Sequence, residues 1–235
     1  GQPDVPTILS YVKAALPEGG TLGFDGRVIS VADGADYEKI AESKAASIVY
    51  NMDLIDELWE DRPAFSEKKA FSLPVEITGE SAASKVGRVR KAIDEKDADT
   101  HILASLDDIC WLLNMRGDDV LYSPLVLSYC VVEAERVVLF VDAAKLNDKI
   151  YASWEGIDVE ILPYNDVYAF VENLYDRSIL LDPSKMNYAL YENIPADNAV
   201  IESANPTILM KAMKNDVELE NMAIAHVKDG VAWTK

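Results

Sequence analysis

The sequence is poor in cations, in cysteine and in histidine. Lys and Arg number 22 against 41 Asp and Glu, a formal net charge of −19, and such a surface repels phosphate, so nucleic acid and anionic membrane are not expected partners. The 2 cysteines, Cys110 in a helical pattern and Cys130 inside an apolar strand, have neither CxxC spacing nor the density of a disulfide scaffold. Both read as buried thiols of a reducing compartment, and a cytoplasmic location is the expectation. The 2 histidines, His101 and His226, are far apart in sequence with no acidic or thiol residue at ligand spacing around either. Each reads as a proton carrier or ligand, or more plainly as a partly buried structural residue. No GxSxG, HExxH, P-loop or GxGxxG occurs, which removes the common nucleophile, zinc and phosphate signatures. The longest apolar runs, Leu125 to Val132 and Val137 to Val141, fall far short of the roughly 20 residues that span a bilayer and read as strands. The amino end, Gly-Gln-Pro-Asp-Val-Pro, shows no basic or apolar leader region, and no signal peptide is expected. It also lacks an initiating Met, as in a chain cut from a larger protein.

What is present is ordinary globular material: 235 residues, 49% apolar and 27% charged, enough for one large domain or two modest ones. Helix and strand alternate in the first segment, with helix over Thr7 to Leu16, strand over Thr21 to Asp25, helix over Tyr37 to Lys44 and strand over Ala46 to Tyr50. One or two helical turns follow at Asp53 to Trp59. Two strands cannot cover both faces of a sheet, so residues 1–62 look like part of a domain. Residues 63–78 lose periodicity and read as an extended linker.

Ser81 then caps a helix whose apolar residues Ala82, Val86, Val89 and Ile93 fall at i, i+4, i+7 and i+11, and strand Thr100 to Ala104 follows. The runs Leu125 to Glu133 and Arg136 to Asp142, joined by Ala-Glu, suggest an antiparallel hairpin. Three further helix–strand pairs end at strands Val159 to Leu162, Ser178 to Leu181 and Ala199 to Glu202. A hairpin among βα units implies an α/β fold with a mixed sheet of five or six strands and helices on both faces. From Asn215 a capping pair with Glu218 opens a long amphipathic helix carrying Leu219, Met222, Ala223, His226, Gly230 and Trp233 on one stripe,. Trp59, Trp111, Trp154 and Trp233 are expected on apolar faces as core or interface anchors.

Two clusters invite a chemical reading. Asp107 and Asp108 form either an acid–base couple or a first turn that complements the helix dipole. The run Asp108-Ile-Cys-Trp-Leu-Leu-Asn-Met-Arg-Gly117 closes a helix starting at Ser105 with Asn114 and Arg116 beside Gly117. Those residues are capping groups, or they present a loop to a substrate opening; a local ion pair of Arg116 with Asp118 or Asp119 is the plain alternative.

That run resembles the D-[DE]-I-x-W-L-x-N-x-R-G segment in the middle domain of three-domain Xaa-Pro aminopeptidases (aminopeptidase P, peptidase family M24). Asn51 to Asp56 with Trp59 to Pro63 is similar to that family's N-L-[VI]-D-x-[IL]-W-x-D-R-P junction. Lys211 to Glu218 with His226 to Ala232 is similar to the K-x-x-K-[ND]-x-x-E and A-H-x-[KR]-D-[GA] stretch opening its catalytic domain. The resemblance implies a creatinase N-terminal-domain-like mixed sheet over residues 79–213, preceded by a partial domain of the same kind over 1–62 and the 63–78 linker, with 214–235 as the first catalytic-domain helix. It implies that the parent removes the N-terminal residue from peptides with proline second, using two divalent metals, usually manganese, whose ligands are not in this sequence. This chain would then carry no metal or cofactor and be inactive alone, serving as scaffold and substrate gate with Asn114, Arg116 and Gly117 as gate candidates. The expected partners are its own catalytic domain, Xaa-Pro peptides and a second copy of the chain. The alternatives are the same region of a proline dipeptidase or creatinase, and a free-standing acidic α/β interaction module.

Overall fold

The computed structural model describes residues 5–235, so Gly1 to Asp4, the start of the expected partial domain, lie outside the described residues. The first unit consists of α1 (Ile8–Ala15), β1 (Thr21–Gly23), α2 (Val31–Ser43) and β2 (Ser47–Val49). The two strands pair in parallel, Thr21 opposite Ser47 and Gly23 opposite Val49. Helix α2 begins six residues before the expected Tyr37 (Val31 against Tyr37) because Ser30 Oγ accepts from the Asp33 amide at 3.1 Å and carries the weak helix formers of the Val31 to Gly34 stretch. Asp53 to Trp59 forms turns rather than a helix, with Asp53 Oδ1 accepting from the amides of Ile55 and Asp56, each at 3.1 Å. Trp59 is consequently 45% exposed and lies under the Arg62 guanidinium instead of in a core.

The stretch read as a linker is extended only to Ala70. There the main chain is claimed by the second unit: Ala70 N–H donates to Lys145 O and Ala70 O accepts from Asn147 Nδ2, both at 2.9 Å. β3 (Phe71–Ser72) and α3 (Val75–Thr78) follow. Local sequence could not show this, because the partners that order the segment lie some 75 residues away (Ala70 to Lys145).

The main body runs α4 (Ala82–Asp94), β4 (Thr100–Leu103), α5 (Leu106–Leu112), β5 (Met115–Arg116), β6 (Tyr129–Glu133), β7 (Arg136–Phe140), α6 (Asp148–Ser153), β8 (Asp158–Leu162), α7 (Val167–Glu172), β9 (Ser178–Leu181), α8 (Tyr188–Glu192), β10 (Ala199–Glu202), α9 (Pro206–Ala212) and α10 (Asp216–Thr234). Six strands form one mixed sheet in the order β10-β9-β4-β6-β7-β8. β4, β6 and β7 run antiparallel in turn, and the pairs outside them, β4–β9, β9–β10 and β7–β8, are parallel. Strand alternation serves two cores. Leu103, Cys130, Val132, Val137 and Leu139 meet α4, α5 and α6 on one face, while Ile102, Val131, Val138 and Phe140 meet α7 and α8 on the other. Both cysteines are buried free thiols, and burial pushes Cys130 up to about 12. Leu125 to Ser128, expected as strand, makes no ladder; its backbone is used by the preceding loop, with Leu127 N–H donating to Asp119 Oδ2 at 2.8 Å.

The first unit docks on the second through backbone hydrogen bonds, among them Val31 N–H to Met186 O at 3.0 Å and Tyr188 N–H to Ile29 O at 2.8 Å, and through the Tyr188 side chain. Tyr188 of α8 packs edge-to-face with Phe24 and Tyr50 at centroid distances of 5.4 and 5.2 Å, and its hydroxyl donates to Glu38 at 2.6 Å. Its ring packs so closely on Gly34 of α2 that any Cβ there would collide with it. No described helix is long and apolar enough to cross a membrane. Gly34→Ala is predicted to loosen α2 from α8 at a cost of about 1–3 kcal/mol. In hydrogen exchange, amides of residues 31–43 should exchange faster while those of 129–140 keep their protection.

Candidate functional site

Helix α5 ends against three side chains, each taking one of its last carbonyls. Arg116 Nη1 donates to Cys110 O at 2.5 Å, Lys85 Nζ to Trp111 O at 3.0 Å and Trp154 Nε1 to Leu113 O at 3.0 Å. Cations at this end suit the partial negative charge of unpaired carbonyls. Trp111 and Trp154 are core residues as expected, whereas Trp59 and Trp233 are exposed.

Lys85 is the residue that sequence reasoning missed. It is 1% exposed, forms no ion pair with any described residue, and places its ammonium 2.7 Å from Asn114 Oδ1 and 4.5 Å from the centre of the Trp111 ring. Burial pulls its pKa down to about 8, with Glu218 and Glu80 opposing from a distance. The signal was available: Lys85 falls at i+3 on the stripe of Ala82, Val86 and Val89, an apolar position that a lysine occupies only when acceptors meet it inside.

Asn114 is the node of the loop. It takes the left-handed conformation, φ 49°, that ends a helix at the position after its cap, and it is 3% exposed. Its Nδ2 donates to Glu80 O at 2.8 Å, and its own carbonyl accepts from Leu73 N–H at 2.8 Å. The capping role is therefore met, and the amide also ties α5 to the segment that enters α4. Gly117 is held tight for a different reason: a Cβ there would sit 2.7 Å from Val126 Cγ2.

Arg116 sits in β5, paired with Phe71 of β3. Its Nη1 also donates to Met115 O at 2.8 Å, and burial lowers its pKa. The local ion pair with Asp118 or Asp119 does not form. Asp119 instead turns inward and pairs with the buried ammonium of Lys145 at 2.6 Å, with side chains 1% and 4% exposed,. Arg116 lines a cleft of about 400 Å³ between the loop and α10, together with Ile77, Trp111, Lys211, Lys214 and Met222.

The acidic pair at the start of α5 is a tether. The Ser105 main chain caps the helix, but its hydroxyl donates to Asp108. Asp108 is 1% exposed and also accepts from Lys211 Nζ at 2.9 Å and Asn205 Nδ2 at 3.2 Å. Burial pushes its carboxyl up, and the hydrogen bonds from Ser105 and Lys211 outweigh that to hold it below the usual carboxylate range. Asp107 pairs with the same Lys211. Asp108 thereby joins the start of α5 to α9, while Asp107 stays 60% exposed. His101 is buried, donates from Nδ1 to Leu180 O at 2.9 Å, and is lowered by burial to about 4. Among the described residues no three His, Cys, Asp or Glu side chains are arranged to hold a metal ion.

Residues 61–218 match the family model of the creatinase/prolidase N-terminal domain. The chain is 34% identical to Xaa-Pro aminopeptidase 1 of Dictyostelium discoideum, over 97% of its own length and 38% of that protein. It is 32% identical to a probable Xaa-Pro aminopeptidase P of Leptosphaeria maculans, over 100% and 40% respectively. The crystal structure of an X-prolyl aminopeptidase from Caenorhabditis elegans, described as a cytosolic enzyme with a di-nuclear active site, superposes on 99% of the chain with a TM-score of 0.90 at 32% identity. The chain covers 39% of that structure, and it spans about two-fifths of the length of the curated relatives it matches.

The buried ammonium sets a pH dependence. With the folded pKa of Lys85 near 8 and its ordinary value 10.5, the unfolded chain binds the extra proton between those pH values, so this group adds stability as pH rises through the window and removes it as pH falls back. Lys85→Met should abolish that component. Chemical denaturation is predicted to show the wild-type-minus-variant stability difference growing by about 1–3 kcal/mol from the low to the high end of the window.

Proposed function

The chain belongs to the creatinase/prolidase N-terminal domain family, and on that premise we propose that it is the non-catalytic leading part of an Xaa-Pro aminopeptidase of the cytoplasm. In this reading residues 1–62 are the later half of a first domain, 79–213 a second domain of the same kind, and 214–235 the first helix of the catalytic domain. The match to relatives of that activity along the whole chain, at two-fifths of their length, supports the division. The described residues offer no metal cluster, so the divalent metals of such a peptidase would be held by residues outside them. The role proposed here is confined to shaping access to the reacting peptide bond.

The observation that carries the gate is the engineering of one short loop. Asn114, Arg116 and Gly117 are held by a buried lysine, an antiparallel pair of strands and a close contact at 117, and of the three Arg116 lines the cleft beside α10. A loop fixed at this many points, with one guanidinium left at a surface, suits presentation to a ligand. Peptides with proline second are recognised by a ring of fixed φ and by the absence of an imide N–H, so a rigid wall is a better reader of them than a mobile one.

The exposed residues of α10, Leu219 at 53%, Val227 at 68% and Trp233 at 90%, favour a protein partner on that helix. We take this partner to be the catalytic domain of the same protein, with a second copy of the chain as the competitor when that domain is removed.

The test compares this chain with the longer protein carrying it. The longer protein is predicted to release the N-terminal residue from proline-second peptides with a divalent metal, while this chain alone releases none. Arg116→Ala in the longer protein should raise KM by about tenfold with a smaller change in kcat, as expected when uniform binding is removed. In this chain the same substitution should cost about 1 kcal/mol of stability. Unaltered kinetics on both short and long peptides would contradict the gate.

A further inference from the structure

An arginine offers five N–H donors, and Arg116 spends only one of its nitrogens on the protein. Nη1 serves Cys110 O and Met115 O. Nε and Nη2, the edge that grips a carboxylate with two parallel hydrogen bonds, make no hydrogen bond to any described residue and are not buried orphans, on a residue that lines the cleft. The other cations and the carboxylates that line the cleft are occupied. Lys211 serves Asp107 and Asp108, Lys214 donates to Lys211 O, and Glu218 Oε2 accepts from the Asn215 N–H at 3.0 Å in its capping box. Glu218 acts on Arg116 through space and forms no ion pair with it. In a chain of net charge −19, Arg116 is a partly buried guanidinium that forms no ion pair with any described residue. Burial disfavours its charge, and the two carbonyls on Nη1 offset that cost without a carboxylate on the Nε/Nη2 edge,.

The walls of the cleft specify the rest. Ile77, Leu73, Leu125 and Met222 surround the guanidinium with apolar surface, which suits a carboxylate carried on a residue with an apolar side chain rather than a small hydrated anion. We infer that the Nε/Nη2 edge of Arg116 is a subsite for the C-terminal carboxylate of a short peptide, with the apolar walls receiving the last side chain. The peptide class rests on the proposed peptidase reading; the preference for a carboxylate rests on the geometry of Arg116 alone. Such a subsite would let the gate measure peptide length, since only a short peptide places its far end there while its first residue is being removed.

The probe is Ala-Pro-Leu as the free acid, its C-terminal amide, and acetate, each titrated into this 235-residue chain labelled for detection of the arginine Nε–Hε signals. The acid is expected to shift the Arg116 signal saturably at about millimolar concentration, with the amide and acetate each binding about tenfold more weakly, a difference of about 1.4 kcal/mol. Arg116→Lys, which keeps the charge and loses the fork, should also lose about tenfold. The inference is overturned if acid and amide act alike, if acetate matches the peptide, or if Arg116 does not respond. Because this chain is not expected to turn substrate over, such a failure leaves the peptidase reading standing. Conversely, a longer protein without activity would leave a measured carboxylate preference intact.

Discussion

The site depends on one buried positive charge. An ammonium taken out of water costs several kcal/mol even after relaxation, and Lys85 has no carboxylate to offset it. Its compensation comes from a carbonyl at the negative end of α5, the Asn114 side-chain oxygen and the face of Trp111,. Every one of these acceptors belongs to the end of α5 or to the residue after its cap. The charge of α4 is therefore satisfied only if α5 stops where it does and Asn114 turns left-handed, which sends Met115 and Arg116 out to pair with β3. Specificity of this kind is a documented use of buried polar groups, and here it converts helix packing into the exact placement of a loop.

The same logic repeats around the loop with different chemistry. Asp119 and Lys145 form a closed pair that also takes the Leu127 amide, so the chain after Gly117 is anchored to the segment that leads into β6. Lys145 O in turn accepts from Ala70 N–H, and Asn147 takes Ala70 O. Asn215 Nδ2 reaches Thr78 O at 2.8 Å, which brings the first turn of α10 against α3. The walls of the cleft thus come from four stretches of chain that share hydrogen bonds rather than a single apolar interface. A −19 chain gains from this arrangement, because its scarce cations are placed where they tie segments together,.

Strands flanked by clear turn residues were legible to the residue: β9 at 178–181 and β10 at 199–202 agree with the pattern. So was the capping box of Asn215 and Glu218, a purely local device. Elements set by distant partners were not. α2 hides its start in a run of weak helix formers because Gly34 is needed under the Tyr188 ring. Residues 71–78 read as linker because their pairing partners are β5 and α10, and Leu125 to Ser128 reads as strand because apolar alternation does not reveal that Asp119 has claimed its amide. In the site, Asn114, Arg116 and Gly117 were visible as a cluster, but their support was not. A lysine in an apolar stripe is the trace that Lys85 left in the sequence, and it becomes meaningful only when read as a demand for internal acceptors.

The central claim is that this chain presents the 114–119 loop to the peptide acted on by the longer protein. Hydrogen exchange of the longer protein, with and without a slowly cleaved proline-second peptide, tests it directly. The account predicts that bound peptide slows exchange at residues 114–119 and in the first turns of α10, with the six-stranded sheet unchanged. Protection confined to residues outside 5–235 would contradict it.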